Sequence, residues 1–183
     1  MNRDHLQYLG AGLNPMEKND ALNQINGLLD DLYDAKEYGS ILNIENYDWK
    51  LLHRFVKDTA VQGQLSFDTV GTEETQDSLT ELIDVGQTLA QKYDVVVTNP
   101  PYMAISNGDA KLIKYVHKNY YEGKADFFAV FIQRCLQMTR VDGYAALITQ
   151  HAWMFLSSFE KLRAYLSTYD ITNMSHLGAR AFD

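Results

Sequence analysis

The chain has 183 residues, 46% of them hydrophobic and only three of them proline, which is enough apolar material for a buried core and unlike a disordered composition. Sixteen basic against twenty-four acidic residues give a net charge of −8, which excludes a surface that embraces phosphate on every side. There is no basic-then-apolar leader, no window near the roughly 18 apolar residues of a membrane span, and a single cysteine, so a soluble cytoplasmic protein without membrane contact or internal disulfide is expected, with Cys135 packing as a small hydrophobe.

The charge is unevenly spread. Residues 1–102 carry 7 Lys and Arg against 17 Asp and Glu, whereas residues 103–183 carry 9 against 7, so any nucleic-acid contact is expected in the second half. Residues 1–92 read as a mainly helical segment: Leu22, Ile25, Leu28, Leu29 and Leu32 recur at three- and four-residue spacing, as do Leu51, Leu52, Phe55 and Val56. Between them the short apolar run after Gly39 predicts a strand near 40–44. Gln62 to Gln76, rich in Gly, Ser and Thr, reads as a loop leading into a helix over 77–91.

From Tyr93 the pattern changes. Tyr93-Asp94-Val95-Val96-Val97-Thr98 is β-branched without polar alternation, as in a central parallel strand covered on both faces. Helices are expected near 109–119 and 125–140, the second closed by Gly143 in a left-handed conformation. Tyr144 to Thr149 reads as the next buried strand, Ser158 to Ser167 as a helix, and Ile171 to Leu177 as a further strand. Strand, helix, strand, helix, strand predicts an α/β, doubly wound sheet over 93–183. In such sheets ligands bind beyond the carboxyl ends of the strands, which is where Thr98 to Ser106 falls.

That segment opens with Asn99-Pro100-Pro101-Tyr102. Two prolines fix φ and remove two backbone donors, leaving a stiff turn with carbonyls to offer. An exocyclic aromatic amine such as adenine N6 is a poor nucleophile, because its lone pair is delocalised into the ring. Two acceptors set against its N–H groups favour pyramidal nitrogen; the Asn99 side-chain oxygen and the Pro100 carbonyl suit that task, and Tyr102 would stack on a base that has left the duplex. Lys111, Lys114, Lys118 and Lys124 follow, either as phosphate contacts or as a solvated helix face. The five histidines show no metal-ligand spacing, so no metal site is expected. Asp94 and Asp126 read as capping or loop-orienting groups, Trp153 and Phe155 as packing residues ahead of base contacts, and Phe131 as a core residue.

Asn-Pro-Pro-Tyr after a hydrophobic strand resembles the signature of the amino-methyltransferases that act on DNA adenine. Lys124-Ala125-Asp126-Phe127-Phe128-Ala129-Val130-Phe131, Thr149-Gln150-His151-Ala152-Trp153-Met154-Phe155-Leu156 and His176-Leu177-Gly178-Ala179-Arg180-Ala181-Phe182 resemble the PglX methyltransferases of BREX phage-defence systems. The resemblance extends from about Gly27 onward. It implies transfer of a methyl group from S-adenosyl-L-methionine to adenine N6 in duplex DNA, with the adenine flipped out, in phage defence or restriction-modification. It implies that 93–183 is the C-terminal half of a Rossmann-like S-adenosylmethionine-dependent methyltransferase domain. By the same resemblance Phe131 walls the cofactor adenine, Phe182 sandwiches the flipped base, and Ser40, in Gly39-Ser40-Ile41-Leu42, borders the cofactor where many relatives carry an acidic residue.

The glycine-rich loop and ribose-binding acid of such enzymes find no match, and Gly10-Ala11-Gly12 reads as an ordinary loop. An incomplete fragment of a larger enzyme, inactive by itself, is therefore expected. The competing reading is a non-catalytic remnant or module that binds other proteins of a defence complex.

Overall fold

The computed structural model describes residues 3–57 and 72–178, which divide into two compact units, Met1–Gln91 and Lys92–Asp183. The first unit is helical. A 3₁₀ turn, Arg3–Tyr8, precedes α1 (Pro15–Asp31), whose start is dictated locally: Asn14 Oδ1 accepts from the amides of Met16 and Glu17 at 3.0 and 2.9 Å, and Glu17 Oε2 accepts from the Asn14 amide at 3.2 Å. This reciprocal capping box satisfies helix-terminal donors, and Pro15 gives up an amide that had no partner to lose.

After α1 come α2 (Ala35–Tyr38), a 3₁₀ turn at Gly39–Ile41, α3 (Trp49–Lys57) and α4 (Thr72–Ala90). The apolar spacing works as expected: Ile25 and Leu28 of α1, Leu52 and Phe55 of α3, and Leu79 and Ile83 of α4 are fully buried. Each such side chain contributes about 1.5–3 kcal/mol. At Gly86 an added Cβ would stand 2.6 Å from Leu28 Cδ1, so a side chain there would push that methyl group aside.

No strand forms at 40–44. Gly39, with φ of 54°, closes α2, and Ile41 and Leu42 are each buried as single anchors in the helical core, which explains an apolar run that needs no sheet. The helix expected over 77–91 already begins at Thr72, and the predicted loop at 62–71 lies outside the described residues. Gly10-Ala11-Gly12 is a tight turn. Gly10, at φ 67°, donates its amide to the Phe55 carbonyl at 2.9 Å, and a Cβ there would meet the Phe55 ring at 2.7 Å.

The second unit is mixed α/β. Strand β1 (Tyr93–Thr98) pairs in parallel with β2 (Thr139–Leu147), Val95 opposite Tyr144 and Thr98 opposite Leu147. The crossover carries α5 (Ala110–Asn119), capped by Asp109, and α6 (Phe127–Met138), capped by Asp126. A short α7 (Glu160–Leu166) follows. Phe128, Ala129 and Ile132 of α6 bury together with Phe159 and Leu162. Burial of Cys135 pushes its thiol up to about 11, in keeping with a packing role.

Three expectations fail here. Helix α6 stops at Met138, and Gly143 lies inside β2 without a positive φ; Asp142 has it instead, at 65°. Gly143 is needed for close approach, since a Cβ would meet the Asp94 carbonyl oxygen at 2.7 Å where the register shifts. Among the described residues neither strand is covered on both faces: α6 packs on one, while Val95, Val97 and Tyr144 on the other are 58%, 71% and 61% exposed. The strand expected at 171–177 does not form. Among the described residues the sheet has two strands, and 171–178 forms no regular element, its Ile171, Met174 and Leu177 exposed.

No helix among the described residues is long and apolar enough to cross a membrane.

Candidate active site at the end of the first strand

The Asn99–Tyr102 turn leaves β1 at its carboxyl end, where the sheet continues for one more bond, from the Ile148 amide to the Thr98 carbonyl at 3.2 Å. Pro100 is buried, whereas Asn99, Pro101 and Tyr102 are exposed. The Tyr102 hydroxyl lies 3.1 Å from Asn99 Oδ1 and 3.3 Å from the Ile148 carbonyl, so one donor is shared between the motif and the end of β2. An amide oxygen has two lone pairs, and Asn99 Oδ1 therefore keeps capacity for a second donor. The Tyr102 ring stands edge-on to Phe128, centroids 6.4 Å apart.

Beyond the motif the chain is pinned by one carboxylate. Asp126 Oδ1 accepts from the Met103 amide and from the Phe128 amide, both at 3.2 Å, so the group that caps α6 also fixes the exit of the turn. The Phe127 amide donates to the Met103 carbonyl at 2.9 Å and the Ile105 amide to the Ala125 carbonyl at 3.2 Å. The loop-orienting reading of Asp126 is thereby given a geometry. Asp94, by contrast, pairs with Arg140 at 2.8 Å on the surface of the sheet.

Tyr102 borders a cavity of about 760 Å³ that runs past Ile132, His151, Trp153 and the segment from Asn173 to Gly178. That volume accommodates a nucleobase or a larger group. Trp153 also packs against the Phe128–Leu162 cluster, and Arg163 Nη1 fixes its backbone by donating to the Trp153 and Leu156 carbonyls, each at 2.7 Å. Phe155, expected to pack, is 71% exposed and meets only the edge of His151 among the ring contacts. His151 and His176 stand edge to face, centroids 5.3 Å apart, an approach that their 25-residue separation in the sequence does not signal.

The remaining candidates are dispersed. Phe131 is half-buried on α6, its ring 6.5 Å from that of Phe127, and does not line the cavity. Ser40 lies exposed in a 3₁₀ turn of the N-terminal unit. Phe182 lies outside the described residues. The Ile148 carbonyl was missed because a backbone acceptor has no signature in a sequence. Of what S-adenosylmethionine requires, these residues offer aromatic rings at Phe127 and Phe131; Asp126, the carboxylate beside the motif, is committed to two amides. The described residues do not assemble a complete site for the cofactor. No group of three or more His, Cys, Asp or Glu among them is placed to hold a metal ion.

Comparison with known proteins gives a consistent picture. The family described as Eco57I restriction-modification methylase matches residues 16–182. Over 151 residues, 81% of the chain, the sequence is 44% identical to the adenine-specific methyltransferase PglX of Lacticaseibacillus casei, and over 152 residues it is 35% identical to the adenine-specific methyltransferase BrxX of Escherichia coli. It spans 12% of the length of each of these relatives. A shorter similarity, 23% over 97 residues, links it to the type II methyltransferase M.TthHB8I of Thermus thermophilus, covering 48% of this chain and 23% of that one.

Proposed function

The chain belongs to the Eco57I restriction-modification methylase family, and from that premise we propose that it presents the N6 amine of an adenine in DNA for methylation. The observation that carries the reading is the turn itself. Asn99 stands exposed at the end of a parallel strand, with its side-chain oxygen beside the Tyr102 hydroxyl and Tyr102 at the mouth of the cavity. Asn99 Oδ1 and the Pro100 carbonyl accept from the two N–H groups of the amine, which raises electron density on the nitrogen, and the half-exposed Tyr102 ring stacks on the adenine after it leaves the duplex.

The methyl donor is S-adenosyl-L-methionine, held against Phe131. Enzymes of this kind act on DNA inside the cell, in restriction-modification or phage defence, as site-specific adenine methyltransferases with a Rossmann-like sheet. The bare sheet face of Val95, Val97 and Tyr144 favours a second role, in which the same chain also associates with other proteins of a defence complex.

The decisive experiment exchanges the matched segment of the Lacticaseibacillus casei relative for this one and measures N6-methyladenine in DNA by mass spectrometry. The chimera methylates; Asn99→Ala lowers turnover about 100- to 1000-fold, as expected for removing one oriented partner of the reacting group. Full methylation by the Asn99→Ala chimera would overturn the reading.

A further inference from the structure

Two lysines converge on one tyrosine. Lys124 Nζ lies 4.2 Å and Lys161 Nζ 4.1 Å from the centroid of the Tyr121 ring, which is 44% exposed. Like charges drawn to the same ring repel each other, and the negative face of the ring offsets that only in part. Among the described residues neither lysine is paired with a carboxylate. The acids near the two lysines in sequence are Glu122, Asp126 and Glu160; Glu122, whose charge opposes that of the lysines at the Tyr121 phenol, accepts through Oε2 at 2.6 Å from Nε2 of the buried Gln133, and Asp126 accepts from the Met103 and Phe128 amides. Lys161 Nζ also donates to the Tyr121 hydroxyl oxygen at 2.5 Å. The hydroxyl hydrogen is therefore directed elsewhere, and the lysines lower the Tyr121 pKa, first through that bond and then through their charge, making the phenol a better donor. Three donors thus face solvent together.

Their position in the fold relates them to the amine-presenting turn. Lys124 stands two residues before Asp126, which holds the Met103 amide, and the intervening Ala125 carbonyl receives the Ile105 amide. Lys161 stands next to Leu162, which is buried with Phe128, the ring against Tyr102. Both lysines therefore ride on supports of Tyr102. An anion fits this cluster, and a polyanion that must reach Tyr102 fits it best.

We propose that Lys124, Lys161 and the Tyr121 hydroxyl bind a backbone phosphate of the DNA strand whose adenine enters the Asn99–Tyr102 site. This rests on the function proposed above. It assigns the contact to one cluster in a chain whose net charge is −8.

The test is fluorescence anisotropy of a labelled DNA duplex with the 183-residue chain, across a salt series. Lys124→Gln with Lys161→Gln lowers affinity about eightfold at 0.1 M salt for each phosphate no longer neutralised, and reduces the slope of log affinity on log salt by about 0.9. Tyr121→Phe, which keeps the ring, has a smaller effect, and Lys36→Gln with Lys50→Gln in the N-terminal unit, which removes the same two charges, is the control for net charge. The cluster assignment falls if the Lys124 and Lys161 double variant keeps the parent slope, if the Lys36 and Lys50 double variant changes it equally, or if the parent chain shows no salt-dependent binding. Loss of methylation by the Asn99→Ala chimera alongside unchanged binding by the lysine variants would sink the phosphate-binding role alone. Methylation indifferent to Asn99 would sink the amine-presenting reading itself.

Discussion

The two units of this chain bury their apolar residues in different ways. In the helical unit Ile25, Leu28, Leu52, Phe55, Leu79 and Ile83 are withdrawn completely from solvent, and the backbone bonds inside each helix need no partner from another segment. In the mixed unit two parallel strands leave Val95, Val97 and Tyr144 bare on one face. Helices reach closure by packing against a few neighbours, whereas a parallel sheet of two strands has one covered face and two open edges. The candidate site sits on the less closed unit, where the strand end it needs is held by α6 on one face and by β2 at one edge. Its precision therefore rests on local devices: the Asp126 carboxylate, the Tyr102 hydroxyl and the Gly143 approach.

The largest expected effect separates the two units directly. Phe55→Ala removes a fully buried ring and lowers the stability of the helical unit by about 3–5 kcal/mol. Val97→Ala, on the bare face, changes stability by no more than about 0.5 kcal/mol. The two tryptophans make this measurable, since Trp49 lies in one unit and Trp153 in the other; denaturant melts followed by fluorescence with the opposite tryptophan changed to Phe report each unit in turn. A Val97→Ala loss as large as that of Phe55→Ala would mean that the bare face is covered in solution, and the contrast would vanish.

A smaller effect is expected at the site. Tyr102→Phe keeps the ring that stacks and deletes the hydroxyl that joins Asn99 to Ile148. A hydrogen bond of this kind contributes about 0.5–1.5 kcal/mol, so turnover of the chimera falls between about twofold and tenfold if the bond orients Asn99 for the reacting amine. The change appears in kcat rather than in DNA affinity. Equal turnover would show that Asn99 is positioned without its partner.

How much of this was legible in the sequence depends on whether a residue's role is local. Val95-Val96-Val97 followed by Asn99-Pro100 marked a strand end, because β-branching and proline act on their own backbone. Asn14 and Glu17 form a cap within four residues. Ile41 and Leu42 misled, since an apolar pair buried one residue at a time looks like a short strand until its neighbours are known. Gly143 misled for a similar reason: glycine serves a left-handed turn or a close approach, and the Asp94 carbonyl that decides between them is 49 residues away. The approach of His151 to His176 and the Ile148 carbonyl at Tyr102 depend on tertiary placement, which no spacing encodes.

The smallest predicted effect tests whether local closure in the helical unit can be loosened by pH. The Asn14 amide, and then Arg54 at 3.2 Å, hold the Glu17 carboxyl below its usual 4.5. A carboxylate with a lower pKa in the folded state adds stability above the unfolded pKa, and that contribution is lost as pH falls through the folded value. The Trp49 signal should therefore show a melting temperature that declines as the medium is acidified from above 4.5. Glu17→Gln retains a side chain able to reach the Asn14 amide but cannot titrate, so it flattens part of that decline while costing little at neutral pH. The Trp153 signal should be indifferent to the substitution. A decline that Glu17→Gln leaves intact would place the acid sensitivity elsewhere, and a response at Trp153 would show that the two units do not unfold independently.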